Sequence, residues 1–144
     1  GTSWTEVGDL NAGRGSLHGA GTVTSALASG GYTTAYVAVN ESYNGSTWTE
    51  VADLNTARGY ATQTVGSNNT SALVVGGAPD TVNTEVWNGT SWTELNNTPA
   101  VRVNAAGAGS TASALIAGGR NPNLTVTSLE WNDPVLSTKT VDID

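Results

Sequence analysis

The side chains most suited to chemistry are three arginines that recur at one spacing. Arg14, Arg58 and Arg102 lie 44 residues apart. If they met at one point they would bind a carboxylate ligand, because guanidinium groups pair with carboxylates in a bidentate geometry. If instead each served its own repeat, it would fix the link that leads into that repeat. We favour the second interpretation, because the residue occurs once per repeat at the same place.

The remaining ionisable residues do not form a recognisable catalytic set. His18 is the only histidine and the chain has no cysteine, which excludes a multi-histidine zinc site and a Cys–His pair. We expect His18 simply to be tolerated on an inner strand. The carboxylates also repeat, and no two of them are singled out as the pair that a glycosidase needs. We therefore predict no catalytic residue, no metal and no cofactor, and we expect the periodic Glu6, Glu50 and Glu94 to face solvent.

Composition gives two conflicting indications about folding. Leu, Ile, Val and Phe account for only 27 of 144 residues, which is close to the composition of disordered chains. Five Trp and four Tyr favour a packed core. With a net charge of −7 and only five basic residues, the chain is a poor partner for nucleic acid. It has no apolar stretch long enough for a membrane span, so we expect no membrane insertion.

The same 44-residue period governs aromatic residues and divides the chain into units. We predict repeats at 1–44, 45–88 and 89–132 within a single segment 1–144, with 133–144 as a terminal outer strand. Glycine pairs recur at offsets of 46 and 42, and such changes in length mark loops. The periodic structural positions are Trp4, Trp48 and Trp92; Tyr43, Trp87 and Trp131; and the pairs Gly30 and Gly31, Gly76 and Gly77, and Gly118 and Gly119.

Each unit is predicted to form four short antiparallel strands, which makes the chain all-β. Some strands are indicated by alternation of Thr or Ser with Trp and β-branched residues, and others by short apolar runs. The Asn-Gly pairs at 44–45 and 88–89 indicate tight hairpins. The small-residue inner strands are LHGAGTV, YATQTVG and VNAAGAG. The other predicted strands are 71–75 and 113–117, then 36–43, 82–87 and 126–131, then 46–51 and 90–95.

These residues resemble the repeats of the Kelch-type β-propeller family. That family has a glycine pair after the second strand, an aromatic in the third and a tryptophan in the fourth, as in Gly76-Gly77, Trp87 and Trp92. In the last unit, Leu136 replaces the tryptophan. The LNxxR segments at 10–14 and 54–58 are similar to the family's link into the next inner strand. The resemblance implies a propeller of four-stranded antiparallel blades, and it says little about function, since the family includes both enzymes and binding modules.

Three blades are too few to close a propeller, which generally has four to eight. Segment 1–7 is predicted to be an outermost strand whose blade lacks its first three strands, and 134–143 to supply the last outer strand. One hypothesis is a longer protein with N-terminal blades that are missing here. The other is a homo-oligomer, for example two chains forming six blades, in which segment 1–7 adds to the third strand of another chain.

Function is expected where the repeats differ, in the loops that follow the glycine pairs. Our leading hypothesis is a noncatalytic extracellular or virion-associated module that presents these loops to a glycan or protein surface. The alternative is a self-assembly module, and a lesser one is part of a sialidase-like glycosidase, because SYNGSTW at 42–48 slightly resembles a sialidase box. The expected ligand-binding residues are Tyr32, Tyr36, Asp80, Arg120, Asn121 and Asn123.

Overall fold

The protein, seen in a computed structural model, is built of short antiparallel strands. The structure describes residues 1–63, 68–121 and 123–133. Over these residues it contains strands, turns and loops but no helix, and hence no helix able to span a membrane. The predicted all-β class is therefore confirmed for the described part of the chain.

Three sheets follow one another along the chain, each with its strands in sequence order. Sheet 1 has the order β1-β2-β3-β4 and sheet 2 the order β5-β6-β7-β8, whereas sheet 3 has three described strands, β9-β10-β13. A small hairpin, β11-β12, extends from the loop before β13. The strands are β1 His18–Thr22, β2 Ser25–Ser29, β3 Asn40–Tyr43 and β4 Trp48–Val51; β5 Thr62–Gln63, β6 Ala72–Val75, β7 Thr84–Trp87 and β8 Trp92–Leu95; and β9 Ala106–Gly109, β10 Ser113–Ala117, β11 Arg120–Asn121, β12 Asn123–Leu124 and β13 Ser128–Asn132.

The Asn-Gly hairpins form as predicted. Tyr43 pairs with Trp48 and Trp87 with Trp92 across the two turns. Their rings pack in tilted pairs, with centroids 4.9 Å apart in sheet 1 and 5.4 Å apart in sheet 2. Fixed register therefore places one aromatic pair at the same position in both four-stranded sheets.

Several strands are shorter than predicted, for identifiable reasons. The strand expected at 46–51 begins at Trp48, because the Asn44 side chain accepts hydrogen bonds from the amides of Ser46 and Thr47 and holds them in the turn. The strand expected at 36–43 begins at Asn40, because Ala38 contributes its carbonyl to the following link instead of to the sheet.

The predicted outer strand at 1–7 is wrong for the single chain. These residues have no strand pairing, and the Trp4 side chain is fully exposed. A strand needs a neighbour for its backbone groups, and no described strand pairs with this segment. The predicted outer strand at 134–143 lies outside the described residues.

The core lies between successive sheets. Leu27 of sheet 1 clusters with Ala72, Val74 and Trp87 of sheet 2. Sheet 2 uses Leu73 and Val75 in the same way against Ala114 and Ile116 of sheet 3. Neighbouring sheets therefore bury apolar side chains against each other, and the low aliphatic content is sufficient because both faces of sheet 2 are used.

Backbone hydrogen bonds join each sheet to the link that follows it. The link between sheets 1 and 2 comprises residues 52–61, and the link between sheets 2 and 3 comprises residues 96–105. At the first junction the bonds run from Gly31 N–H to Arg58 O (2.8 Å), from Leu54 N–H to Ala38 O (3.0 Å) and from Tyr60 N–H to Ser16 O (3.0 Å).

The second junction repeats this pattern at the equivalent positions. The bonds run from Gly77 N–H to Arg102 O (2.8 Å), from Thr98 N–H to Val82 O (3.0 Å) and from Asn104 N–H to Tyr60 O (2.9 Å). The junction is thus a repeated arrangement with a direction: the earlier repeat contributes a glycine donor and two carbonyl acceptors, and the following link contributes one acceptor and two donors.

The glycine pairs are required by this close contact. Gly30 and Gly76 have φ of 61° and 63°, and a Cβ on either would lie 2.4 Å from the carbonyl oxygen of Arg58 or Arg102. Any other residue would collide with the backbone of the next link and would also be strained at that φ. The periodic Gly-Gly in the sequence is therefore a signal of contact between repeats.

Candidate functional site

The loops that follow the glycine pairs all begin with the same backbone bridge in the three repeats. Tyr32, Ala78 and Arg120 each follow a glycine pair, and each bridges to the residue after a periodic arginine, namely Gly15, Gly59 and Val103. The predicted binding residues Tyr32 and Arg120 therefore occupy equivalent positions in different sheets.

Tyr32 and Tyr36 form a local aromatic pair. Their ring centroids are 5.2 Å apart with an interplanar angle of 65°, and Tyr32 is 41% exposed. A Cβ built on Gly59 would lie 3.3 Å from Cδ1 of Tyr36. The pair thus sits where sheet 1 meets the link to sheet 2, and it presents Tyr32 to solvent.

The other predicted binding residues lie apart from this pair. Asp80 is exposed in the loop after the cis Ala78-Pro79 peptide, with φ of 28°. Arg120 and Asn123 are exposed on the β11-β12 hairpin, and the Asn121 side chain lies outside what the structure describes. No hydrogen bond within the described part of the chain joins Asp80, Arg120 or Asn123 to the tyrosines. Among the described side chains of this set, the contacts therefore join only Tyr32 and Tyr36.

A different set of equivalent residues surrounds a pocket. Ser16, Tyr60 and Asn104 are spaced by 44 residues, and their backbones are hydrogen-bonded in series, from Asn104 N–H to Tyr60 O and from Tyr60 N–H to Ser16 O. They line a pocket of about 350 Å³ together with Leu17, His18, Ala61 and Ala105. We call Ser16, Tyr60 and Asn104 the rim triad.

All three members of the rim triad have left-handed backbone conformations. Their φ values are 54° for Ser16, 51° for Tyr60 and 56° for Asn104. Such values are uncommon outside glycine and unusual for a bulky residue such as tyrosine. The hydrogen bonds in series hold this strained backbone, so each side chain leaves it in a fixed direction, and Tyr60 remains 41% exposed. The triad was not predicted from the sequence. The available signal was that the repeats carry three different residues, Ser, Tyr and Asn, at one equivalent position.

His18 forms part of the pocket wall and carries no charge at neutral pH. It is buried, and its Nε2 has no hydrogen-bond partner in the described structure. Burial, aided by the positive charge of Arg58, lowers the pKa of His18 from 6.5 to about 4. No charged side chain lines the pocket, so at neutral pH its polar character comes from hydroxyl and amide groups and the neutral imidazole.

The first periodic arginine is held by a buried carboxylate. Arg14 forms an ion pair with Glu41 and donates through Nε to Gly30 O at 2.9 Å. Asn11 donates to the other oxygen of Glu41 from its backbone N–H (2.8 Å) and from Nδ2 (2.7 Å). Burial alone would raise the pKa of Glu41, but the hydrogen bonds from Arg14 and Asn11 outweigh that effect and hold the pKa below its ordinary value.

The second repeat contains the same cluster in a fully buried form. Arg58 pairs with Glu85, and neither side chain has any exposed surface. Asn55 donates to Glu85 from N–H and from Nδ2, both at 2.8 Å. We call this arrangement the Asn–Arg–Glu cluster. It ties each link to the third strand of the sheet that the link enters, across 27 residues of sequence between Arg and Glu.

The third repeat keeps the arginine but loses both of its partners. Pro99 stands where the asparagine would be and Leu129 where the glutamate would be. Arg102 is still buried and donates to Thr127 Oγ1 at 2.9 Å. The side chains of the three arginines are therefore bound within three different repeats, and they do not converge on a common ligand position.

Comparison with known proteins does not place the chain in a family. Neither the family models nor the curated proteins that were searched contain a match. The described residues also contain no group of three His, Cys, Asp or Glu side chains that could hold a metal ion.

Replacing Glu85 tests the Asn–Arg–Glu cluster. Glu85→Gln leaves Arg58 as a buried charge without its carboxylate. We therefore expect the free energy of unfolding to fall by about 3 to 5 kcal/mol. Glu50→Gln, at an exposed position of β4, should change stability by no more than about 0.5 kcal/mol. Urea denaturation followed by tryptophan fluorescence measures both, and equal effects would show that the cluster does not stabilise the fold.

His18 should make stability depend on pH in the weakly acidic range. Because its pKa is about 4 when folded and near 6.5 when unfolded, the unfolded state binds a proton first as pH falls. The contribution of His18 to the free energy of unfolding is therefore complete above pH 6.5 and decreases as the pH falls to 4. At pH 5 the free energy of unfolding is lower by about 2 kcal/mol than at neutral pH. His18→Gln should remove this part of the pH dependence in urea titrations at pH 7 and pH 5. The same pH dependence in both proteins would contradict the assignment.

Proposed function

We propose that this chain is a noncatalytic carbohydrate-binding segment of a Kelch-type β-propeller. Its three sheets would be successive blades, with β1, β5 and β9 as the innermost strands. Contacts between β1 and β5 and between β5 and β9 support this arrangement, as do the inner-strand sequences HGAGT and AGAG, which are small enough to crowd together.

The rim triad carries the functional part of the proposal. An exposed tyrosine ring offers an apolar face on which a sugar ring stacks, and Ser and Asn side chains offer hydroxyl and amide groups that match sugar hydroxyls. In Ser16, Tyr60 and Asn104 these three groups surround one pocket and project from a backbone fixed by hydrogen bonds. Such preorganisation lowers the entropic cost of binding.

The charge of the pocket favours a neutral sugar. Its histidine is uncharged at neutral pH, and it has no arginine with which to bind an acidic sugar. The periodic arginines that a sialidase would need are bound within their own repeats, which supports a noncatalytic role. An extracellular or virion-surface location belongs to the same proposal and rests on the Thr-, Asn- and Gly-rich composition.

A glycan array of neutral oligosaccharides, followed by titration of any bound sugar, tests this function. Tyr60→Ala and Asn104→Ala should each weaken binding about tenfold, which corresponds to about 1.4 kcal/mol. Asn123→Ala is the matched control, because Asn123 is also exposed but does not line the pocket. No bound oligosaccharide, or binding that Asn123→Ala weakens and Tyr60→Ala does not, would overturn the proposal, and the second result would move the site to the outer loops.

A further inference from the structure

We infer that residues 4–16 form an arm that docks on sheet 3 of a second copy of this chain. The inference rests on the two junctions inside the chain, because the described residues of sheet 3 and its link form only half of the same junction and residues 4–16 carry the matching half.

The arm has the sequence of the segments that complete the two other sheets. It reads WTEVGDLNAGRGS, whereas 48–60 reads WTEVADLNTARGY and 92–104 reads WTELNNTPAVRVN. Segment 48–60 begins as β4, the outer strand of sheet 1, and continues as the link that is hydrogen-bonded to that sheet. Segment 92–104 serves sheet 2 in the same way. The arm has the sequence for this task, but no sheet among the described residues pairs with its first residues.

The unused hydrogen-bonding groups of the two ends match one another. On sheet 3 and its link, the junction pattern leaves one donor and two acceptors without partners in the described structure: Gly119 N–H, Val126 O and Asn104 O. On the arm, the same pattern leaves one acceptor and two donors: Arg14 O, Leu10 N–H and Ser16 N–H. Docking forms the same three bonds as the other junctions, with Gly119 donating to Arg14, Leu10 to Val126 and Ser16 to Asn104.

Apolar side chains are left exposed at the same two ends. Leu27 and Leu73 are each 1% exposed because the next sheet covers them, whereas the equivalent Leu115 is 49% exposed. In a second copy, Ala26 and Ala28 of sheet 1 occupy the positions of Ala72 and Val74, which cover Leu27. Sheet 1 of that copy therefore has the surface that Leu115 requires.

Aromatic pairing indicates the register of the arm. Tyr43 with Trp48 and Trp87 with Trp92 form the ring pairs of sheets 1 and 2. Trp131 occupies the same position in β13 and has no aromatic partner among the described residues, while Trp4 is fully exposed. Pairing Trp4 with Trp131 makes residues 4–7 the fourth strand of sheet 3.

At sheet 3, no described residue takes the place of the incoming link. A Cβ on Gly30 or Gly76 would lie 2.4 Å from the arginine carbonyl of the next link, whereas the nearest described atom to a Cβ on Gly118 would be Thr125 O at 3.6 Å. The place of that carbonyl is where Arg14 O of the second copy would lie. Contacts of this head-to-tail kind give a ring if the rotation closes, and two chains would then share two identical junctions.

Light scattering coupled to size-exclusion chromatography of the 144-residue chain tests the inference. We expect the mass of at least two chains, where one chain has a mass of 14.6 kDa. Trp4→Ala and Leu115→Arg should each shift the mass towards that of one chain, and because both positions are exposed in the single chain, circular dichroism should show the same strand content. Val23→Arg is the matched control. Val23 is 89% exposed in the β1-β2 turn and takes no part in the junction contacts, so this variant should keep the larger mass.

A single-chain mass at every concentration would overturn the inference, whether sheet 3 is covered by residues 134–144 of the same chain or by further repeats of a longer one. So would an assembly that Trp4→Ala and Leu115→Arg leave intact. No sugar enters this experiment, so its outcome is independent of the carbohydrate proposal.

Discussion

In each junction the amide of the second glycine donates to an arginine carbonyl in the following link, and this contact sets the distance between repeats. A link that approaches so closely leaves no room for a Cβ at the first glycine, which is why Gly30 and Gly76 recur. The approach also brings Leu27 and Leu73 against the next sheet, and that burial supplies most of the core. Sheet 3 has no such neighbour among the described residues, and its leucine, Leu115, is exposed. Stability in this chain is therefore a property of junctions more than of individual sheets.

The Asn–Arg–Glu cluster fixes the other side of the link. Burying Arg58 and Glu85 is costly unless each satisfies the other, and the hydrogen bonds from Asn55 complete the arrangement. In the third repeat Asn and Glu are both replaced, by Pro99 and Leu129. The loss of both partners together is consistent with their acting as a unit. Leu129 instead joins the apolar cluster between sheets 2 and 3.

The sequence was informative wherever a local signal determines the structure. The 44-residue period, the Asn-Gly turns and the second strand at 113–117 could be predicted, because turn chemistry and apolar runs act over a few residues. The strand predicted at 1–7 does not form in the single chain. Its residues have the pattern of a strand, but a strand also needs a neighbouring strand with which to pair. The pairing of Arg14 with Glu41 was missed, since 27 residues separate them and only the fold brings them together. The rim triad was missed because its left-handed backbone depends on hydrogen bonds between repeats, and the six predicted loop residues were chosen from exposure and type alone.

Amide hydrogen exchange, followed residue by residue by NMR at several protein concentrations, tests the central claim about the junction most directly. Gly31 and Gly77 have their acceptors within the chain, so their amides should be protected at every concentration. The Gly119 amide should exchange quickly in dilute solution and gain comparable protection as the concentration rises and Arg14 of a second copy supplies the acceptor. Gly119 that stays unprotected throughout, or Gly31 and Gly77 that exchange as fast as Gly119 in dilute solution, would contradict the account.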